Sequence, residues 1–423
     1  MTNSMLRPGW FIEYNPKEQK IFDIIHKTIE QTFIQYGYQH IHTPAVEKID
    51  TLSKWWDEVS KQIFGLYGLA QWSEDTKDYA LHFDLTVPFA RYTIDRQNDL
   101  AFPFKRYQVQ PVWRGERSQK WRYKEFRQAD IDVIWKSEDD KGYNEVYDAD
   151  CIVTLAKTLR KCLDNIGCED KQIVVRYNNK SFLQAICDRL QIKNITALFA
   201  LLDKYYKLPK DVFDTKLAEL LTNEQLSAFV KIREIEENVS DFPEWEIYMM
   251  SFIQNIKTHL PSLQWIEIVY DPAIVRGLDY YTGTVFETFI DDKKNIGSVC
   301  SWWSYANLTE FMDTKQSFSW VGGSIWLSRL MSVLLEEYNI TESYEPNEKH
   351  YLILNEEISI TQAQELAVTL HEKWAIVEIY PIADKIEKQF KYAEKKWVTH
   401  AIQFFDGNPR YKKLWWDRED LSI

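Results

Sequence analysis

Apolar side chains recur at helical spacing over residues 15–36, with Ile21, Ile24, Ile25, Ile29 and Phe33 on one face. The stretch that follows, YGYQHIHTPAVEKID, reads as a strand. From 101 to 135 the period shortens to two: AFPFKRYQVQPVWRGE and EFRQADIDVIW predict two strands, joined by the charged loop RSQKWRYK. In the second strand Ala129, Ile131 and Val133 share one face, while Gln128, Asp130 and Asp132 share the other. Such a row of acceptors is unusual, and the simplest reading turns it to water. Residues 144–166 and 180–260 carry helical patterns punctuated by LPK, FPEW and LPS. Strands return in QWIEIVYD and GTVFETFI, with a helix near 324–337. From about 349 a new unit opens: YLIL, a helix at 360–373, AIVEIYP, a helix at 383–396, then VTHAIQFF. That β-α-β-α-β order predicts a small sheet with crossover helices. No G-x-G-x-x-G follows its first strand, so no dinucleotide site is predicted.

Length and composition narrow the picture. A chain of 423 residues has room for two or three domains, and 45% hydrophobic with 27% charged residues suits ordinary packed cores. No run of about 18 apolar residues suggests a membrane span. The N-terminal segment MTNSMLRPGWFIEYNPKEQK lacks a signal-peptide core, so a cytoplasmic protein is expected. The five cysteines (Cys151, Cys162, Cys168, Cys187, Cys300) form no C-x-x-C pair, which argues against a zinc site or a disulfide frame. A net charge of −13 excludes a global basic field but not a local one such as ADKIEKQFKYAEKK at 383–396, which read alone is a solvated lysine-rich helix face. One count stands out. Tryptophan (17) outnumbers glycine (13), and only the two together reach about the 7% share that glycine alone usually holds.

Three segments set arginines beside carboxylates and turns. In PVWRGERSQKWRYKEFRQADIDVIW, Arg114, Arg117 and Arg122 flank a loop between antiparallel strands, a geometry able to wrap a polyphosphate with bidentate guanidinium contacts. IVRGLDYYTGTVFE, 274–287, sets Arg276 before a glycine and offers the rings and hydroxyls of Tyr280 and Tyr281. VGGSIWLSRLM, 321–331, runs a small-residue strand into a helix that presents Arg329. Each alone reads equally as a surface salt-bridge cluster.

Together these segments resemble the signature motifs of class II aminoacyl-tRNA synthetases, specifically histidyl-tRNA synthetase. RGLDYYTGTVFE resembles the histidine-specific motif, RGERSQKWRYKEFRQADID motif 2, and VGGSIWLSRL motif 3. YGYQHIHTPAVE around Pro44 resembles motif 1, which in the family lies at the dimer interface. FDLTVPFARY, 83–92, resembles the amino-acid-binding strand, and the last unit the anticodon-binding domain. The resemblance implies an α+β class II catalytic core over 1–340, an antiparallel sheet flanked by helices with a helical insertion at about 175–260, and an α/β anticodon-binding domain over 347–423. It implies ATP-dependent ligation of histidine to tRNA(His) through a histidyl-adenylate, with Mg²⁺ accompanying ATP and a homodimer as the assembly. By resemblance Arg276 and Arg114 are catalytic. Arg114, Glu116, Arg122 and Arg329 bind ATP, and Asp84, Leu85, Thr86, Gln128, Asp132, Tyr280 and Tyr281 bind histidine. The rival reading is a non-catalytic synthetase-like regulatory subunit of histidine biosynthesis, a class that lacks the anticodon domain and tends to lose the arginine of the histidine motif. This chain keeps both Arg276 and the C-terminal unit.

The resemblance also locates the tryptophans. Trp302–Trp303 occupy the family's Gly-Gly pair, Trp326 the motif 3 glycine, Trp121 the motif 2 loop glycine and Trp135 the glycine closing its strand. Trp265, Trp374 and Trp397 fall where the family has turn glycines; Trp55–Trp56, Trp72, Trp320 and Trp415–Trp416 are further candidates. Trp113 reads as a true aromatic position, with Trp10 and Trp245 open. Convergence of so many glycine positions on one residue type points to a source that reads UGA as glycine. Beyond the tryptophans, Ser304, Tyr305 and Ala306 replace the family's usual Arg-Tyr-Asp, and His82 stands where arginine is usual.

Overall fold

The computed structural model describes residues 8–53, 62–68, 78–115, 117, 120–139, 143–232, 252, 255–256, 258–259, 264–275, 281–305, 317–344, 349–355, 359–405 and 408–414. The chain divides into two compact units, Met1–Glu13 with Phe22–Asn339, and Tyr14–Ile21 with Ile340–Ile423.

The helix Pro16–Gln35 opens on a reciprocal cap. The Asn15 side chain accepts from the amides of Lys17 and Glu18, and Glu18 accepts from the Asn15 amide at 2.8 Å. Its apolar stripe, Ile21, Ile25, Ile29 and Phe33, is wholly buried. The single strand expected next is instead two short pieces, β1 (Gln39–His40) and β2 (Val46–Lys48), separated by an irregular stretch that ends in a bend at Ala45. Then come β3 (Gly65–Leu66), β4 (Tyr79–Leu81), β5 (Phe104–Trp113), β6 (Glu125–Lys136), β7 (Ile173–Asn179), β8 (Ile266–Tyr270), β9 (Tyr281–Ile290), β10 (Cys300–Tyr305) and β11 (Phe318–Ile325). One eight-stranded sheet has the order β1-β5-β6-β11-β10-β9-β7-β8, and β2-β4-β3 make a small separate sheet. The large sheet is antiparallel except for the edge pairs β1/β5 and β7/β8.

Two expectations change here. Residues 83–92, expected as a strand, form a bend and the start of the helix Thr86–Arg96; Leu85 stands at its N-cap without a side-chain cap, and the Asp84 carboxylate one residue earlier accepts the Val87 amide at 3.2 Å. Residues 173–179, expected at the edge of a helical insertion, are the strand β7, a β-branched run (IVV) that pairs with β9; the helices begin at Lys180, capped by Asn179. The helix Thr86–Arg96 lays Val87, Phe89 and Ala90 on Phe104, Ile134, Phe318 and Trp320 of the sheet. That packing places the start of the helix beside β5 and β6.

The second unit holds β12 (His350–Ile353), β13 (Ile376–Ile379), β14 (His400–Phe405) and β15 (Asn408–Lys413), in the order β13-β12-β14-β15. The first three are parallel, as crossover helices require; β15, not expected from the sequence, returns antiparallel at the edge. One side of this sheet buries Leu352, Ala393, Val398 and Ala401, the other Ile353, Ala363, Ala367 and Ile402. Among the described residues no helix is long and apolar enough to cross a membrane.

Candidate active site

The register of three strands builds a polar band inside the large sheet. Along β5 and β6, Arg106 lies opposite Asp132, Gln108 opposite Asp130 and Gln110 opposite Gln128. Strand β11 continues the rows with Gly322 opposite Asp132 and Ser324 opposite Asp130. Period two puts all of these on one face. The face is not turned to water: Arg106, Gln108, Gln110, Gln128, Asp130, Asp132 and Ser324 are all buried.

The carboxylates crowd around one buried cation. The Arg106 guanidinium stands 2.5 Å from Asp132 and 4.0 Å from Asp130. It lies over the Phe89 ring at 4.4 Å and donates to Gln108 Oε1 at 3.3 Å. Asp84 arrives from the helix start, and Arg114 is fixed beside it by donating from Nε to the Phe83 carbonyl at 3.0 Å. Burial pushes the Asp132 carboxyl up to about 8 and Asp84 to about 6, and raises Asp130 as well, although Arg106 draws Asp130 and Asp132 back down. Among the described residues, two acceptors of the band, Asp130 Oδ1 and Gln128 Oε1, are buried with no hydrogen-bond partner, as are two donors, Arg106 Nε and Nη2. Buried oxygens of this kind are costly unless a donor meets them. A band with more carboxyls than buried guanidinium groups, and with unmet acceptors, is chemically a receptor for a cationic hydrogen-bond donor such as an ammonium group.

Backbone space for this arrangement depends on Gly322. A Cβ there would lie 1.8 Å from Asp132 Oδ1 and 2.9 Å from the Ile131 carbonyl oxygen. Next along the sheet, Trp303 registers opposite Gly322, the glycine that makes room for the carboxylate, and Trp302 opposite Gly323.

Beside the band is a second chemistry. Arg114, Arg122 and Arg329, with Trp121, Tyr123, Phe126 and Trp326, line a cavity of 140 Å³. Arg329 donates to the Ser298 carbonyl at 2.9 Å and lies over the Trp326 ring at 4.1 Å. Arg114 lies over Phe126 at 5.1 Å. Three guanidinium groups around one cavity suit an anion with several oxygens, and aromatic rings among them suit a flat partner. Among the described residues no cluster of His, Cys, Asp and Glu is arranged to hold a metal ion.

Of the residues singled out from the sequence, Asp84, Arg114, Gln128 and Asp132 come together here, Leu85 and Thr86 are buried next to Asp84 at the helix start, and Arg122 and Arg329 line the cavity. Arg117 is exposed. Arg276, Tyr280 and Glu116 lie outside the described residues, and of Tyr281 only the backbone pairing of β9 with Tyr305 is described. His82 is buried, donates from Nε2 to the Pro111 carbonyl at 2.8 Å and lies against Trp113. It therefore ties the segment before Asp84 to β5. Sequence reasoning missed Arg106, Gln108 and Gln110; their alternation in KRYQVQP carries the same signal as Gln128, Asp130 and Asp132 on the next strand.

Five tryptophans have left-handed backbones: Trp10 (φ 70°), Trp121 (61°), Trp265 (61°), Trp374 (59°) and Trp397 (55°). This region favours glycine and is a marked outlier for a bulky side chain. Trp10 thereby joins the glycine-like group. Trp135 and Trp320 differ: both sit in ordinary strand, fully buried, Trp320 stacked on Phe89 at 5.6 Å. Trp55, Trp56, Trp72, Trp245, Trp415 and Trp416 lie outside the described residues.

Known proteins resemble this chain over most of its length. A family profile described as histidyl-tRNA synthetase matches residues 11–298. The chain is 33% identical to a histidine–tRNA ligase of Clostridium acetobutylicum, over 96% of this chain and 94% of that one. It resembles the crystal structure of histidyl-tRNA synthetase from Nostoc sp. PCC 7120 with a TM-score of 0.77 and 26% identity, covering 97% of each chain. A Bacillus halodurans protein described as an ATP phosphoribosyltransferase regulatory subunit/histidyl-tRNA synthetase shares the fold, with a TM-score of 0.68 at 18% identity over 95% of this chain and 99% of that one.

Proposed function

The chain belongs to the histidyl-tRNA synthetase family, and from that premise we propose that the carboxylate band receives histidine while the arginine cavity receives ATP. The protein is an enzyme, a histidine–tRNA ligase, that uses ATP to join histidine to tRNA(His). The observation that carries the site assignment is the pair of unmet buried acceptors, Asp130 Oδ1 and Gln128 Oε1, beside a cavity lined by three arginines.

Histidine's α-ammonium group meets Asp84, Thr86 and Gln128, where the unmet acceptor lies. Its imidazole reaches Asp132, with Tyr280 and Tyr281 closing the far side and Leu85 shaping the wall. A site that satisfies both ring nitrogens rejects other side chains, because they leave buried polar groups unpaired. Arg114 spans both halves: it is anchored to Phe83, next to Asp84, and it lines the cavity. There it holds the α-phosphate as the histidine carboxylate attacks in line and pyrophosphate leaves; Arg276 supplies a second fixed positive charge at the reacting phosphorus. Charge fixed in advance at that phosphorus is what such a reaction needs. Glu116, Arg122 and Arg329 hold the rest of the nucleotide. The cavity's described lining offers cations rather than carboxylates, so Mg²⁺ arrives on the ATP phosphates and is held mainly by them.

The first unit is the catalytic domain with its helical insertion, and the second binds the anticodon through the lysine-rich helix Ile386–Lys395. Two chains pair through the segment around Pro44, and the enzyme works in the cytoplasm. The tryptophans with left-handed backbones, together with Trp302, Trp303 and Trp326, are glycine in the native protein, encoded by UGA. What supports this is that five of the nine non-glycine residues with positive φ among those described are tryptophan.

The test is histidine-dependent ATP–pyrophosphate exchange on the chain as written and on a form with glycine at these eight positions, alongside peptide masses of the native protein over 298–308. Exchange in the glycine form, with glycine masses, is expected. A folded glycine form that is silent would favour the regulatory subunit, and tryptophan masses would end the recoding reading.

A further inference from the structure

We propose that Arg106 is a positioning residue for the substrate side chain: it grips Oδ2 of Asp132 so that Oδ1 stands over Gly322 as the acceptor for an imidazole N–H. The inference rests on the reading that the band receives histidine.

Four observations carry it. First, Arg106 chooses between two carboxylates; its Nη2 is 2.5 Å from Asp132 Oδ2 but 4.0 Å from Asp130 Oδ2. Second, the other Asp132 oxygen occupies the space that Gly322 leaves open, 1.8 Å from where a Cβ would be. One oxygen is therefore held and one is presented. Third, Arg106 is 0% exposed and only its Nη1 donates a hydrogen bond among the described residues, so its burial is a cost to stability that the ion pair with Asp132 only partly offsets.

Fourth, the guanidinium is itself held from behind. The Phe89 ring lies 4.4 Å beneath it, and its Nη1 donates to Gln108 Oε1. Gln108 in turn donates from Nε2 to Thr43 Oγ1 at 2.7 Å and to Gln110 Oε1. Gln110 closes the chain by donating to the Thr43 carbonyl at 2.9 Å and accepting from the Thr43 amide at 3.1 Å. Hydrogen bonds thus run unbroken from the backbone at Thr43, through two glutamines, to the guanidinium, whose Nη2 meets Asp132 as a single close ion pair. Such supporting contacts are what hold a recognition group to within a fraction of an ångström.

The experiment measures KM for histidine and for ATP in pyrophosphate exchange, using the full chain with glycine at the eight tryptophan positions. The variants are Asp132→Asn, Arg106→Lys, Arg106→Met and the double variant Arg106→Met/Asp132→Asn. Arg106→Met should raise the histidine KM by about tenfold or more and leave the ATP KM unchanged, while Arg106→Lys, which keeps the charge but loses the planar guanidinium and its bond to Gln108, raises it about threefold. On the Asp132→Asn background, adding Arg106→Met should change the histidine KM less than about twofold, because its effect passes through Asp132. Removing both charges also guards against misfolding of Arg106→Met; should that variant fail to fold, Arg106→Lys with and without Asp132→Asn carries the same comparison. An unchanged histidine KM in the Arg106 variants, equal rises for both substrates, or full additivity with Asp132→Asn would overturn the inference. If instead Asp132→Asn itself leaves the histidine KM unchanged, the pocket reading falls, and the Arg106 inference with it.

Discussion

Trp374 allows the backbone argument to be tested apart from the active site. It sits at φ 59° and is 95% exposed, so the indole has almost nothing to lose on removal. It ends the turn after the helix Ile360–His371, where its amide bonds to the His371 carbonyl at 2.9 Å and the Ala375 amide reaches back to Leu370. This is the position where helices commonly place glycine. A left-handed L-residue costs about 1–2 kcal/mol. Glycine removes that cost but returns about 0.5 kcal/mol through its freer unfolded chain. Trp374→Gly should therefore stabilise the second unit by about 1 kcal/mol, a rise of about 4–8 °C in its transition if it melts as a unit of under 100 residues. The control is Trp374→Ala, which loses the same ring but keeps a Cβ, and so keeps most of the penalty. Scanning calorimetry of the full chain, with hydrogen exchange of the helix Ile360–His371 to assign the transition, reads both. A glycine variant no more stable than the alanine variant would refute the reasoning, because it would mean that the backbone at 374 does not ask for glycine.

Three further outcomes follow from the site. Gly322→Ala puts a Cβ against Asp132 Oδ1 and should cost about 1–3 kcal/mol of histidine affinity with ATP affinity kept, read by calorimetric titration. The Asp132 carboxyl, raised by burial from an ordinary 3.8 to about 8, lets the folded empty protein hold a proton that the unfolded chain has lost; stability from this group is full below about 4 and lost as pH rises through 8. Histidine binding at pH 7 should accordingly release protons, seen as buffer-dependent binding heats, and Asp132→Asn should flatten both the stability profile and the release. Arg114→Gln should lower the exchange kcat by about 10²–10³-fold, as expected for a charge aimed at the reacting phosphorus, while Arg329→Gln should act mainly on the ATP KM. Equal effects of the two on KM alone would contradict their separate roles.

Much of this fold was legible from residue patterns. The alternation in EFRQADIDVIW placed Gln128, Asp130 and Asp132 on one face of β6, and the helix 16–35 and the alternating units after 349 stand where their periodicity puts them. What failed did so for local reasons. FDLTVPFARY is rich in strand formers, yet Asp84 captures the Val87 amide and the chain turns helical. Residues 173–179 are hydrophobic enough for either state, and pairing with β8 and β9 on either side makes them strand. The burial of the acceptor face was not legible from the alternation, because water and a covering layer leave the same pattern in the sequence; only the resemblance assigned Gln128 and Asp132 to a substrate. Arg106, Gln108 and Gln110 were visible as a period-two run, but their partners lie on another strand. Trp374 and Trp397 were marked as glycine positions by the resemblance alone, and their backbone angles give the physical reason.

The division of the chain into units has a consequence for synthesis on the ribosome. Tyr14–Ile21 belong to the same compact unit as Ile340–Ile423, with Lys17 over the Trp397 ring at 4.8 Å. The first turns of the first helix thus emerge about 320 residues before their packing partners. At about 5–20 residues per second they wait roughly 15–60 s with their contact surface uncovered. The second unit is consequently the last to close, and it cannot be completed from its C-terminal residues alone. A fragment beginning at Ile340 would lack an element that the chain made first.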